Sequence, residues 1–187
     1  MVFETQEVDS SERNYRTESI RLFFCRQTQR RDYSLMFPKK YSKEQIILKL
    51  EAYCAYQERS LFEIETKLAT LDSSTTDFKS IIAHLSECNF FNEERFAISY
   101  AIGKFRNNKW GKQKIKAGLF QKKISGDLIS KALSTIDKSE YKLMLQDLYE
   151  KKWISLKTEK NEFERKQKTL RFLQSKGFEY DEISGLF

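Results

Sequence analysis

The sequence predicts an all-α protein, an elongated array of three tandem three-helix repeats, and three observations carry that expectation. Turn residues are scarce: the 187 residues include one proline, Pro38, and six glycines, too few for a chain of short strands that must reverse often. Helix-start signals recur along most of the chain. The chain also matches itself at a fixed offset. Gly111-Lys112-Gln113-Lys114-Ile115 answers Arg165-Lys166-Gln167-Lys168-Thr169, and Leu119, Ile124, Asp127, Ile129 and Leu133 answer Leu173, Phe178, Asp181, Ile183 and Phe187, each pair 54 residues apart. Tandem units of this kind bury their apolar faces on one another and present one long surface.

Residues 1–40 stand apart. Met1 to Thr17 is polar and aperiodic and reads as disordered. Arg21-Leu22-Phe23-Phe24-Cys25-Arg26, with Arg30, Arg31, Tyr33 and Phe37, reads as a basic-aromatic arm or as an extension upstream of the true start. Pro38 closes it.

The first repeat is expected over residues 41–90. Ser42-Lys43-Glu44-Gln45 is a capping box, in which the Ser and Gln side chains satisfy free backbone donors of the first turn. The helix behind it places Ile46, Ile47, Leu50, Tyr53 and Cys54 inward. Ser60-Leu61-Phe62-Glu63 opens a second helix with Ile64, Leu68 and Leu71 inward, and Asp77 a third with Ile81, Ile82 and Leu85. Ser60, Ile64 and Leu68 answer Gly111, Ile115 and Leu119 of the next unit, and Ile81 and Leu85 answer Ile129 and Leu133. The loop Asp72-Ser73-Ser74-Thr75-Thr76 holds three extra residues. The second repeat, 91–139, starts at Asn92-Glu93-Glu94, with acids at the positive end of the helix dipole. The third, 140–187, follows Asp137-Lys138-Ser139-Glu140 and contains the start Asn161-Glu162-Phe163-Glu164.

Bulk composition fits such an array. Apolar residues make up 40%, enough for a core, while 33% charged residues suit a thin molecule with much surface. The 14% aromatic content argues against disorder for most of the chain. Cys25, Cys54 and Cys88 are odd in number and form no CxxC pair, so neither a disulfide framework nor a metal knuckle is expected, and a reducing cytoplasm is the economical setting. No apolar run approaches the roughly 20 residues that span a bilayer, and the polar start does not look like a signal peptide.

The distribution of charge says more than the net +7. No Asp or Glu lies between Arg95 and Gly126. The stretch from Lys104 to Lys123 carries Lys104, Arg106, Lys109, Lys112, Lys114, Lys116, Lys122 and Lys123, a local +8, so the rest of the chain sums to −1. Concentrated charge is what a surface for a polyanion requires. Most charge runs are solvated helix faces, but such faces usually mix signs, because like charges at i,i+4 repel by about 0.2–0.5 kcal/mol per pair. Lys112 and Lys116 take that penalty with no acid nearby in sequence. Trp110, among Lys109, Lys112 and Arg106, suits a stacking site for bases and equally a helix-start residue packed on the next unit; Trp153 reads as core.

Enzymatic chemistry has no foothold. His84 is the one histidine and sits between Ile82 and Leu85, where a structural role is expected. No second ligand stands at zinc spacing, and phosphate-cradling glycine loops and nucleophile elbows are missing. Glu93 and Glu94, adjacent on a helix, do not share a face as an acid–base pair would. The expectation is a binding protein with no cofactor and no metal, monomeric and off the membrane.

Four motifs resemble the RecX family of RecA regulators. Tyr53-Cys54-Ala55-Tyr56-Gln57-Glu58-Arg59-Ser60, with Glu63, Lys67 and Leu68, looks like that family's opening helix pair. Phe90-Phe91-Asn92-Glu93-Glu94-Arg95-Phe96-Ala97 resembles its acidic helix start followed by Arg-Phe-Ala. Trp110-Gly111, Ile115, Leu119, Ile124 and Ile129 to Leu133 resemble its middle unit, and Lys176-Gly177-Phe178, Asp181 and Ile183 its last. The resemblance runs from about Tyr41 to Phe187 and leaves residues 1–40 outside. Gly118 stands where the family often has an acid, and a glycine inside a helix costs about 1 kcal/mol relative to alanine. The resemblance implies a protein lying in the groove of the RecA–DNA filament. There it would limit recombinase, ATPase and co-protease activity in DNA repair, recombination and the SOS response. Its partners would be RecA and the backbone of single- or double-stranded DNA. A general nucleic-acid-binding helical module with no dedicated RecA partner is the competing expectation.

Overall fold

The computed structural model describes residues 41–71 and 78–187. The expectations placed on residues 1–40, on the 72–76 loop and on Asp77 as a helix start lie outside the described residues. Those described form helices and no strands, in the order α1 (Lys43–Tyr56), α2 (Leu61–Leu71), α3 (Phe78–Glu87), α4 (Glu93–Asn108), α5 (Lys112–Gln121), α6 (Gly126–Ser134), α7 (Lys138–Ser155), α8 (Glu162–Lys176) and α9 (Tyr180–Ser184). No helix among the described residues is long and apolar enough to cross a membrane.

The helix starts stand where the caps put them. Ser42 and Gln45 exchange side-chain and backbone hydrogen bonds at the head of α1, and Ser60 and Glu63 do the same at α2. Asn92 accepts from the Arg95 amide at α4, Asp137 from the Glu140 amide at α7, and Asn161 from Phe163 and Glu164 at α8. Each such cap satisfies a backbone donor that the helix cannot satisfy itself and contributes about 0.5–2 kcal/mol.

Two clusters of buried side chains hold the helices. Ile46, Leu50 and Cys54 of α1 meet Ile64 and Leu68 of α2 and Ile81 and Leu85 of α3. A larger cluster runs from Phe96 of α4 to Ile183 of α9, so the second and third groups of helices share one core. A ladder of rings crosses between them: Phe105 lies 5.8 Å from Tyr141, which lies 5.2 Å from Phe178. The repeat expected from sequence has a clear packing basis, because Ile115, Leu119, Ile124 and Ile129 are buried and so are their counterparts Thr169, Leu173, Phe178 and Ile183. Burying each aliphatic side chain contributes roughly 1.5–3 kcal/mol. The pairing weakens at its end: Leu133 is partly buried, whereas Phe187 is exposed.

Four expected core positions need correction. Ile47 and Leu71 are only partly buried at the edge of the first core, and Tyr53 is half-buried, its ring covered by the Arg59 guanidinium at 3.9 Å. Trp153 is likewise half-buried and sits outside the core. It packs beside Tyr149 and Phe187, and the Arg165 guanidinium covers it at 4.0 Å while donating to its backbone carbonyl. Gly118 has a packing reason: a Cβ there would stand 2.4 Å from the Tyr100 hydroxyl.

Candidate functional site

The basic stretch is carried by the second half of α4, the connection after it, all of α5 and the turn that follows. Lys104 and Arg106 sit on α4. Lys109 closes that helix in the left-handed conformation, φ 56°, which turns the chain sharply into Trp110 and α5. Lys112 and Lys116, four residues apart on α5, share one face of that helix, and Lys114, two residues from each, lies on the other side. Lys122 and Lys123 form the turn into α6, Lys123 again left-handed at φ 61°.

The eight cations fare differently. Arg106 makes a two-pronged contact with Glu140 of α7, Nε and one Nη each 3.1 Å from a carboxylate oxygen. Lys122 pairs with Glu63 of α2 at 2.6 Å. For Lys104, Lys109, Lys112, Lys114, Lys116 and Lys123, no carboxylate partner is found among the described residues. Four of these six lie over aromatic rings. Lys104 and Lys114 lie 5.1 and 5.0 Å from the Trp110 ring centre, Lys112 lies 4.6 Å from that of Tyr141, and Lys123 lies 4.7 Å from that of Phe62. A ring face attracts a cation without neutralising it, so the positive potential survives. Lys109 and Lys116 are exposed. Trp110 itself is half-buried against the larger core, with two ammonium groups about 5 Å from its ring centre.

Lys122 and Lys114, like Arg106, also join helix groups. At the Lys122–Glu63 pair, burial pushes the Glu63 carboxyl up, but the Lys122 ammonium, the Ser60 amide and the Arg59 charge outweigh it, and the net displacement is downward. Lys114 donates from Nζ to the Ser175 carbonyl at 2.9 Å. Around it, the Gly111 and Gln113 amides donate to the Lys176 and Gly177 carbonyls at 2.9 and 3.0 Å. The free donors of the first turn of α5 thus meet the free acceptors at the end of α8, positive helix end against negative.

Sequence reasoning missed several participants. Arg95 reaches Glu58 at 2.6 Å and Asn89 through both Nη atoms, locking α4 to the connection between α1 and α2. Glu140 and Glu63, which quench two of the eight cations, lie far away in sequence. Lys138 and Lys142 add positive charge on α7, and their four-residue spacing was the available signal. His84 ties α3 to α1 through Glu51 at 2.7 Å, and Glu94 pairs with Lys131.

Comparisons with known proteins bear on this arrangement. A family model described as the RecX second three-helix domain matches residues 92–133, and one described as the RecX third three-helix domain matches residues 144–186. The Regulatory protein RecX of Clostridium perfringens (strain 13 / Type A) is 36% identical over 120 residues, 64% of this chain and 56% of that protein. Its counterpart in Clostridium botulinum (strain Eklund 17B / Type B) is 34% identical over 146 residues, 76% of this chain and 68% of that one. The chain therefore spans little more than half the length of the C. perfringens relative. Among solved structures, RecX from Lactobacillus salivarius superposes with a TM-score of 0.69 at 25% identity, covering 76% of this chain and 92% of that chain. Another crystal structure of regulatory protein RecX gives 0.64 at 23% identity over 75% of this chain and 71% of that one, a likeness of fold.

Proposed function

The chain belongs to the RecX family, and from that membership we propose that it regulates a RecA recombinase by lying in the groove of the RecA–DNA filament. There it limits filament growth and the recombinase, ATPase and co-protease activities that depend on it, in DNA repair and the SOS response. Residues 41–90, 91–139 and 140–187 act as three successive units, and the basic middle unit makes the contact. One observation carries this reading: six cations between Lys104 and Lys123 have no carboxylate partner among the described residues. Charge left unpaired on one short stretch is what attraction to DNA phosphates, or to an acidic filament surface, exploits.

Binding to naked single-stranded DNA and to preformed RecA–DNA filaments, each measured across salt, tests the proposal. Every phosphate neutralised adds about 0.7–0.9 to the steepness of log affinity against log salt. Because Lys114 lies on the other side of α5 from Lys112 and Lys116, only some of the cations reach one partner, and the expected slope for naked DNA is roughly −2 to −4. Binding to the filament should be tighter and less salt-sensitive. Equal affinity for both, without effect on RecA, favours a general nucleic-acid-binding module instead. The partly exposed Trp110 ring beside Lys104 and Lys114 lends that second reading its support.

A further inference from the structure

A second cationic feature lies beyond the 104–123 stretch. A cavity of about 370 Å³ opens between the start of α5, the first half of α7 and the end of the chain. Leu145, Leu186 and Tyr141 give it an apolar floor, and Lys112, Lys138 and Lys142 stand around it. Lys138 and Lys142 are four residues apart on α7, hence neighbours on one face, where like charges repel. Neither forms an ion pair among the described residues, and both are exposed. Lys112 leans on the Tyr141 ring. The one acid in the lining, Glu182, accepts from the Tyr141 hydroxyl at 3.0 Å and from the Glu179 amide at 3.3 Å; it keeps its charge, so three lysines against one carboxylate leave the lining at +2.

We propose that this cavity binds an acidic peptide segment of a partner protein, seating one aliphatic side chain on Leu145 and Leu186 while flanking carboxylates meet Lys112, Lys138 and Lys142. The two halves of the lining select this occupant together. A sugar–phosphate backbone would satisfy the lysines but leave the apolar floor wet. A purely apolar ligand would cover the floor but leave three ammonium groups repelling one another. A short peptide with an aliphatic anchor between acids satisfies both, and the volume lies at the small end of ligand pockets, suited to an anchor of one or two residues. Specificity comes from the anchor in its pocket and attraction from the charged rim. The inference stands on the cavity and shares only Lys112 with the surface proposed for the filament.

The test uses the full chain and a fluorescein-labelled peptide of about ten residues, glutamates and aspartates around one central leucine, followed by anisotropy at low and physiological salt. The parent chain should bind it. The Lys138→Glu, Lys142→Glu double variant should lose about tenfold or more in affinity, and the peptide with serine for leucine about fivefold. The charge-matched Lys157→Glu, Lys160→Glu variant, altered outside the cavity lining, should bind as the parent does. Circular dichroism of the double variant, expected to match the parent, separates lost binding from lost fold. The proposal is overturned if the parent does not bind, if the double variant binds equally, or if the leucine-free peptide binds as well as the parent peptide. It is also overturned if a single-stranded DNA oligonucleotide displaces the peptide and shows the same dependence on Lys138 and Lys142, which would make the cavity a phosphate site.

Discussion

A Cβ atom placed on Gly111 would stand 2.3 Å from the carbonyl oxygen of Gly177, so these two glycines let the start of α5 and the end of α8 meet backbone to backbone. Gly177 is just as closely confined, by Lys114. Gly177 has φ 93°, and a Cβ there would meet the Lys114 backbone nitrogen at 2.6 Å. Neither clash has a flexible side chain to give way at its tightest backbone point.

Gly111→Ala should therefore destabilise the protein by about 1–3 kcal/mol, an overpacking cost. Gly177→Ala should do so by a similar amount, since the left-handed conformation adds roughly 1–2 kcal/mol for a residue with a Cβ. At about 2–4 °C per kcal/mol for a chain of this size, thermal melts resolve both. Gly126→Ala is the control: nothing lies within 4 Å of a Cβ there, and its melting temperature should match the parent or rise slightly. Equal melting temperatures for all three variants would remove the junction from the account.

The repeat gives a paired test of packing. Leu119 and Leu173 are 54 residues apart and both fully buried, so Leu119→Ala and Leu173→Ala should each cost about 2–5 kcal/mol. Denaturant titration measures this directly. A loss at one site with none at the other would show that the two positions are not equivalent.

Acid should loosen the attachment of α2 to the turn that follows α5. The folded Glu63 carboxyl titrates below its ordinary value of 4.5, so its contribution is present above that value and is lost as pH falls through the folded value. Glu63→Gln should therefore flatten stability against pH on the acid side. An acid limb as steep as the parent's would assign the loss to other carboxylates.

Gly118→Ala separates two meanings of a glycine. Its predicted clash is with the Tyr100 hydroxyl, the far end of a side chain, which can swing outward. Alanine also restores about 1 kcal/mol of helix propensity. The net change should stay within about 1 kcal/mol, far smaller than at Gly111, and thermal melting compares the two directly.

Much of this fold was legible in local chemistry. Ser42, Ser60, Asn92, Asp137 and Asn161 each announce a helix because a side-chain oxygen at that point satisfies a backbone donor, an interaction spanning two or three residues. The 54-residue repeat was visible because Leu119 and Leu173 fill equivalent holes. What escaped was long-range. The pairing of Arg106 with Glu140 and of Lys122 with Glu63 joins residues 34 and 59 apart, and nothing in the basic run foretold which cations would be quenched. The misplacement of Trp153 has the same origin, since Arg165 and Phe187, which pack on its ring, come from later in the chain. The reason for glycine at 111 and 118 lies in what packs against each, which spacing alone does not reveal.

The most direct test of the central claim is the DNA-dependent ATPase of cognate RecA titrated with this protein. The parent should lower the rate as it is added. Arg106→Ala should inhibit nearly as well, because that guanidinium is already held by Glu140. Lys109→Glu, Lys116→Glu, Lys123→Glu, a triple variant outside the lining of the peptide cavity, should keep its helical spectrum and inhibit at least about tenfold more weakly. Inhibition by the triple variant at parental potency, or none by the parent chain, would contradict a filament contact made through these lysines.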